Sequence, residues 1–445
     1  MNKSQQKHRL NWRKIGLAVL ILSPIALLVA ALARYSVNVP FWDQWELVTI
    51  FEKSVNGTLG FADFFAQHNE HRILFPRLIM FTLATLTHWN TLYEVATNVI
   101  LACGIFGVFY VLLRRTFVSK KLLYAVTFFV SLILFSPDQF ENWMWGWQLQ
   151  WFANVLGLVV AVWALSSWKP KKAPAFRLAF AILAAVFATY SLASGLFVWI
   201  VCLPLLWFSK DLKKYMYVWI VAGLITIWVH YIGYVDPAYH PSKLLFLQQP
   251  LEFVKYFLVY MGRPLAIDFS LALATAVGYM GIIIAGFIFI FKRYAGQLAT
   301  PLLPWIAIGL YAIFAGLSTD ISRLGFGVEQ AYSSRYITLS CLLLIAICVI
   351  SFKIIELANL DRERTQQIAK KTAIIFMSAV FVLVGVNYYK GLRQMKDRHE
   401  YLLTVRECAR TATGPEDSCL LKLYPNKEVV WPRLQFLRSI HWGGL

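Results

Sequence analysis

The chain has 445 residues, of which 59% are hydrophobic and only 15% charged, and it carries a formal net charge of +19. Soluble domains average about 25% charged residues, so the composition excludes a soluble fold and predicts an all-α polytopic membrane protein, one bundle in which each crossing uses about 20 residues. The basic excess gathers in short clusters between apolar runs, as in cytoplasmic loops, which speaks against a nucleic-acid partner.

The N-terminal MNKSQQKHRLNWRK holds five Lys or Arg before an apolar run from Ile15 to Ala33. That run is too long for a signal peptide and shows no small-residue cleavage site, so it predicts a first transmembrane helix, N-terminus in the cytoplasm and kinked at Ser23-Pro24. A polar and aromatic outer loop over 35–91 follows. It contains the apolar segment Ile73 to Trp89, but a span there would put the basic cluster RRTFVSKK at 114–121 outside. The segment therefore predicts an amphipathic or re-entrant helix at the outer surface, with Pro76 in its first turn and Arg77 near the headgroups. Residues 92–113 then cross. Further spans are predicted at 121–136, 148–168, 176–191, 194–209, 215–234, 271–291, 302–317, 336–352 and 372–388, with an interfacial helix in PLEFVKYFLVYMGRPL.

This gives eleven spans in a membrane domain over 1–388 and a tail over 389–445 at the outer face. The tail carries ten Lys or Arg, which would sit more comfortably inside, although long tails obey the charge rule loosely. Cys408 and Cys419 fit a disulfide in an oxidising compartment, or equally two free thiols. Cys103, Cys202, Cys341 and Cys348 fall in apolar segments and read as small core residues.

No repeat, P-loop, GxGxxG, CxxC or HExxH occurs. His68 and His71 are three apart; on a helix they would share a face suited to a metal ion, while hydrogen-bonded imidazoles in a polar loop are the simpler reading. No metal ligand set is assigned, and a divalent ion is compatible with the sequence without being required by it. Asn56-Gly57-Thr58 matches a glycosylation sequon and serves best as a turn signal.

The chemistry concentrates in the outer loops. Asp43 and Glu46 stand in WDQWE directly after the first helix, where an acid partly shielded from water suits a general base and where an aromatic belt with a capping Asp is the plain structural alternative. His68, Glu70, His71 and Arg72 follow in the same loop, and ionisable groups beside hydrocarbon are costly without partners or a task. FENWMWGWQLQW adds Glu141, Asn142 and Trp143; flat rings with amides and carboxylates suit a carbohydrate, and a membrane belt accounts for the tryptophans one by one. Arg323 and Arg335 in the last outer loop suit a bidentate grip on lipid phosphate, or a headgroup anchor.

A basic N-terminus, a first helix followed at once by an outer loop with an acidic motif, and a surface segment from Glu70-His71-Arg72 to Trp89 before the second span resemble the GT-C class of glycosyltransferases. The likeness covers the first third in motif order and the rest in topology. It implies a multi-spanning fold and transfer of a sugar from a polyprenyl-phosphate donor, at the outer face of the cell membrane, to a glycan or lipid acceptor. The family's catalytic acid falls on Asp43, with Glu46 as a second acid; family acids are often adjacent or one apart, whereas these are three apart. Direct displacement with a phosphate leaving group implies inversion. A glycolipid transporter or flippase is the second reading and a non-catalytic envelope-assembly subunit the third. Coupled transporters place ionisable groups near the midplane, and the predicted spans are almost free of them.

Overall fold

In hydrocarbon every backbone polar group must be bonded within its own segment, so the apolar runs fold as helices. The computed structural model describes residues 12–166, 173–237, 240–278, 281–282, 299–359 and 364–444. The fold is all-α apart from a two-stranded hairpin that pairs Gln67–His68 with His71–Arg72.

Among the described residues, seven helices are long and apolar enough to cross a membrane: Lys14–Tyr35, Leu92–Thr116, Lys120–Met144, Gly146–Leu165, Pro301–Phe326, Ser334–Ala358 and Gln366–Thr411. The pair Pro250–Leu265 and Phe269–Gly278, bent by 92°, makes an eighth if it is one span. The expected eleven are not all found at full length. Pro174–Thr189 and Met216–Tyr231 have 16 residues each, about 24 Å of helix against about 30 Å of hydrocarbon. Between them, the segment expected at 194–209 is broken into short turns, restarting at Leu203 with Pro204 in its first turn. Most of the span expected at 271–291 lies outside the described residues, as does part of the basic turn near 170.

The central helix is Ile337–Ala358, apolar around its whole circumference and packed against Lys120–Leu134, Ala299–Arg323 and Arg364–Thr411. A helix of that kind belongs in the middle of a bundle. Two ends follow. At one, Glu356 accepts the backbone N–H groups of Val118 (3.0 Å) and Ser119 (2.7 Å), Lys353 donates to Thr116 O (2.9 Å), and Arg177 meets Asp211 (2.7 Å). This end gathers the predicted cytoplasmic clusters. The loops predicted to be outer all meet at the other end.

The surface helix forms over Leu74–Thr87, 14 residues or about 21 Å, and stops where His88 and Trp89 turn left-handed (φ 51° and 52°). Arg77, expected near the headgroups, turns inward. It is buried, and donates to the carbonyls of Phe64 (3.2 Å) and Ala66, which end the preceding short helix inside the protein.

The helix Arg364–Thr411 runs unbroken past residue 388 for 48 residues, about 72 Å, so span and tail are one rod. Cys408 and Cys419 form a disulfide, with Cα atoms 5.8 Å apart. The chain then folds back over the first loop: Gly443 N–H donates to His88 O (2.9 Å), and the Trp442 ring sits 5.2 Å from Phe51.

Candidate functional site

The WDQWE segment forms a 3-10 helix over Trp42–Leu47. Gln44 turns inward: it accepts Phe41 N–H (3.1 Å) and donates to Glu94 (2.5 Å), whose other oxygen accepts the Trp89 indole (2.9 Å). The fit around Glu94 is close, since a Cβ on Gly146 would lie 2.1 Å from Glu94 Oε2. Trp45 and Leu47 are also fully buried. Residues three apart eclipse on a 3-10 helix, so Asp43 and Glu46 project together from the other side. Trp42 holds a left-handed φ of 50°, with its N–H bonded to Leu423 O of the tail (2.8 Å); strained backbone of this kind needs surroundings that over-determine it.

One third of the Asp43 side chain stays open, with Oδ2 3.9 Å from His68 Nε2. Burial pushes its carboxyl up to about 6, against the pull of Arg335; Glu46 adds to the rise and Arg323 opposes it. An acid poised there is ionised at neutral pH yet still takes up a proton readily. Glu46 is held by the tail: its Oε1 accepts the Tyr424 hydroxyl (2.6 Å) and lies 3.3 Å from Arg433.

Arg335 is delivered by backbone bonds. Glu141 Oε2 accepts both the Ser334 hydroxyl (2.6 Å) and Arg335 N–H (3.1 Å), and Asn142 donates to Arg335 O (2.7 Å) and Thr338 Oγ1 (2.6 Å). Glu141 and Asn142, expected on the ligand, thus hold the arginine. The Arg335 guanidinium feels Glu141 and Asp43 but makes no ion pair within 4 Å among the described residues. Behind it, Arg263 grips buried Asp138 with both terminal nitrogens and donates through Nε to Tyr332 O (2.8 Å), while Lys390 donates to the Tyr332 hydroxyl (2.6 Å). Tyr332 precedes Arg335 by three residues.

The Glu70 group is closed on itself. Glu70 meets Arg323 (2.9 Å) and His240 (2.8 Å), and Arg323 also reaches His240 Nε2 (2.7 Å). Burial works to raise the Glu70 carboxyl, but His71, Arg323 and His240 outweigh it and hold it below the ordinary glutamate value. His68 and His71 face each other across the hairpin, with Asn69 in the turn at φ 50°, so the shared helical face proposed for a metal does not exist. Burial, helped by nearby cations, drops His68 to about 3, and burial opposed by Glu70 drops His71 to about 4. Both rings are neutral at pH 7. Among the described residues no group of three or more His, Cys, Asp or Glu is placed to hold a metal ion.

Two expected ligand contacts turn out to be structural. Arg72 is buried and spends its guanidinium on the carbonyls of His230 (2.8 Å), Phe65 (3.0 Å) and Ile232. Trp143 is 0% exposed, donating to Ser136 O (2.9 Å) and stacking on Phe152 at 4.6 Å, so no sugar reaches its face. Sequence reading passed over His240, Asp138, Arg263, Tyr424 and Arg433. Arg263 carried a usable signal: a lone arginine in an apolar segment requires a buried acid, and Asp138 is one of few available.

No family model and no curated protein matches the chain. Among solved structures, the Archaeoglobus fulgidus oligosaccharyltransferase in complex with zinc and sulfate is 13% identical, with 92% of this chain and 57% of that chain covered and a TM-score of 0.44. The archaeal oligosaccharyltransferase AglB from Archaeoglobus fulgidus, in complex with an inhibitory peptide and a dolichol-phosphate, is 12% identical, with 94% and 60% covered and a TM-score of 0.43. The chain thus spans less than two thirds of the length of either.

Proposed function

We propose that the chain is a GT-C type membrane glycosyltransferase that moves a sugar from a polyprenyl-phosphate donor to a glycan or lipid acceptor at the outer face of the cell membrane. The observation that carries this reading is Asp43: a partly open carboxyl, raised to about 6 by burial, under the influence of an arginine that makes no ion pair within 4 Å among the described residues. Perturbed acids in such settings are candidates for proton transfer.

In the reaction, the acceptor hydroxyl oxygen attacks the anomeric carbon and its proton passes to Asp43. The bond from that carbon to the donor phosphate oxygen breaks, and the lipid phosphate leaves with its charge beside Arg335. One direct displacement inverts the anomeric centre. Glu46 raises the proton affinity of Asp43 and does not itself attack. Arg323, tied to Glu70, shapes the site, which leaves Arg335 for the phosphate. Neutral His68 and His71 offer hydrogen bonds to ligand hydroxyls without adding charge.

The N-terminus is assigned to the cytoplasm and the tail to the outer face. The Cys408–Cys419 bond supports this, because disulfides persist in oxidising compartments and the tail sits at the same end as Asp43. The test is release of polyprenyl phosphate from a panel of polyprenyl-phosphate hexoses and pentoses by the purified chain in liposomes. Asp43→Asn should lower release by roughly 10²–10⁴-fold at unchanged protein level. Release at the normal rate by that variant would refute the base assignment.

A further inference from the structure

At the end of the molecule away from Asp43, a groove opens on the surface between the first helix, Trp12–Tyr35, and the helix Lys120–Leu134. Its origin lies in the first helix. Pro24 has no N–H for the Leu20 carbonyl, which accepts the Ser23 hydroxyl instead (2.9 Å), and Ile21 O accepts the Ser131 hydroxyl from the neighbouring helix (2.7 Å). From here outward Pro24, Leu28, Ala31 and Leu32 are buried in the bundle, whereas no residue between 14 and 23 is.

The groove has a volume of about 350 Å³, large enough for a small ligand. Leu17, Leu20 and Ile21 form one wall, and Lys121, Ala125 and Phe128 the other. Each wall is one helical stripe, with spacings of three or four residues. From Lys121 to Phe128 is about 10 Å, against about 15 Å of hydrocarbon in one leaflet. That depth suits the upper part of an acyl chain and is too short for a spanning helix.

Both stripes lead to a lysine at the mouth. Lys121 lines the groove itself, and Lys14 stands one turn before Leu17 on the same face of the first helix. Among the described residues no carboxylate lies within 4 Å of Lys121. Just before Lys120, the Ser119 N–H donates to Glu356 (2.7 Å), so the mouth belongs to the end that gathers the basic clusters. Trp12, 76% exposed and two residues before Lys14, marks the headgroup level. An apolar slot with an ammonium group at its mouth and no paired acid is complementary to an acyl chain beneath a phosphate.

We propose that this groove binds an anionic phospholipid of the leaflet at that end, with one acyl chain in the slot and the phosphate beside Lys121 and Lys14. The site is independent of the transferase reading, because it lies at the opposite end from Asp43. The rival occupants are bulk lipid held without preference and a second copy of the chain.

Photolabelling separates them. Full-length protein, delipidated in nonionic detergent, is exposed to phosphatidylglycerol carrying a diazirine in one acyl chain, and the labelled peptides are mapped. Label should concentrate on residues 14–23 and 120–129, and unlabelled dioleoylphosphatidylglycerol should compete at lower concentration than dioleoylphosphatidylcholine. Label spread evenly over the lipid-facing helices, or equal competition by the two lipids, overturns the proposal. A dimeric protein with no label in the slot assigns it to a second copy and overturns the proposal likewise.

Lys121→Met should raise the phosphatidylglycerol concentration needed for competition roughly fivefold, the attraction of one lysine for an anionic surface, and leave that of phosphatidylcholine unchanged. Unchanged competition in a folded Lys121→Met protein overturns the headgroup assignment and the proposal with it; where that variant does not fold, the wild-type comparison of the two lipids decides alone. Ala125→Trp fills the slot and should remove the label from both helices, and persistence of the label contradicts the placement of the chain. Glycerophosphoglycerol, the headgroup without acyl chains, should not compete; full competition by it puts the site outside the groove.

Discussion

Glu70 and Arg323 meet at 2.9 Å with His240 closing the group, whereas Asp43 and Arg335, at the same end of the molecule, influence each other without forming a pair. Both clusters combine acids, arginine and histidine, and composition alone does not separate them. The difference is in who satisfies whom. In the first, each charge is spent on another side chain, which ties the hairpin to His240 and to the end of the Ala299–Arg323 helix. In the second, Glu141 and Asn142 hold the Arg335 backbone, and the Arg335 guanidinium makes no ion pair with Asp43 within 4 Å, which is what the proposed site needs if a ligand is to complete it.

Removing Asp43 should have the largest effect and split activity from stability. With Asp43→Asn, transfer falls by roughly 10²–10⁴-fold. Stability moves the other way. The native carboxyl titrates at about 6, above its ordinary value of 3.8, so its contribution is fully present below 3.8 and is lost as pH rises through about 6. The asparagine variant should therefore melt above the wild type at pH 7 and alongside it at the acid limit; a lower melting temperature at pH 7 would mean that Asp43 is structural.

Asp138→Asn comes next, because it strands Arg263 inside the protein. Breaking a buried pair from one side costs about 3–5 kcal/mol, and here it also loosens Tyr332 and so Arg335. Both the melting temperature and the donor KM should suffer, and an unaffected melting temperature would sever this support from the site. Glu70→Gln should have the smallest effect, about 1–3 kcal/mol from a lost charged hydrogen bond, read as a lower melting temperature with transfer reduced far less than by Asp43→Asn. If Glu70→Gln abolishes transfer in a stable protein, the contrast between the clusters is wrong.

The positions of these groups were legible in the sequence to different depths. Asp43 stood out because its motif abuts the first helix, and the loops read as outer fall at one end of the bundle, as local counting of charges predicts. The surface helix before residue 92 followed from the same counting. The partners could not be read, because each lies far along the chain: Glu70 with His240, Asp138 with Arg263, Glu46 with Tyr424 and Arg433. Distances of 100 residues or more leave no trace in local spacing. Arg72 and Trp143 misled for a related reason, since a residue type suited to binding sugar or phosphate is equally suited to capping carbonyls and filling a core. The eleven-span expectation read apolar length without the breaks at 189–203, where the chain runs in short turns and the lack of a Cβ on Gly195 lets it approach the Ala188 carbonyl.

The central claim is that a shielded but reachable Asp43 takes the acceptor's proton, and the pH dependence of transfer tests it most directly. The rate should rise with pH through about 6 and level off above it, because the carboxylate is the active form. Arg335 lowers the Asp43 value and Glu46 raises it, so Arg335→Met should move that limb to higher pH and Glu46→Gln to lower pH. A rate flat across this range, or a limb that neither substitution moves, would contradict the account.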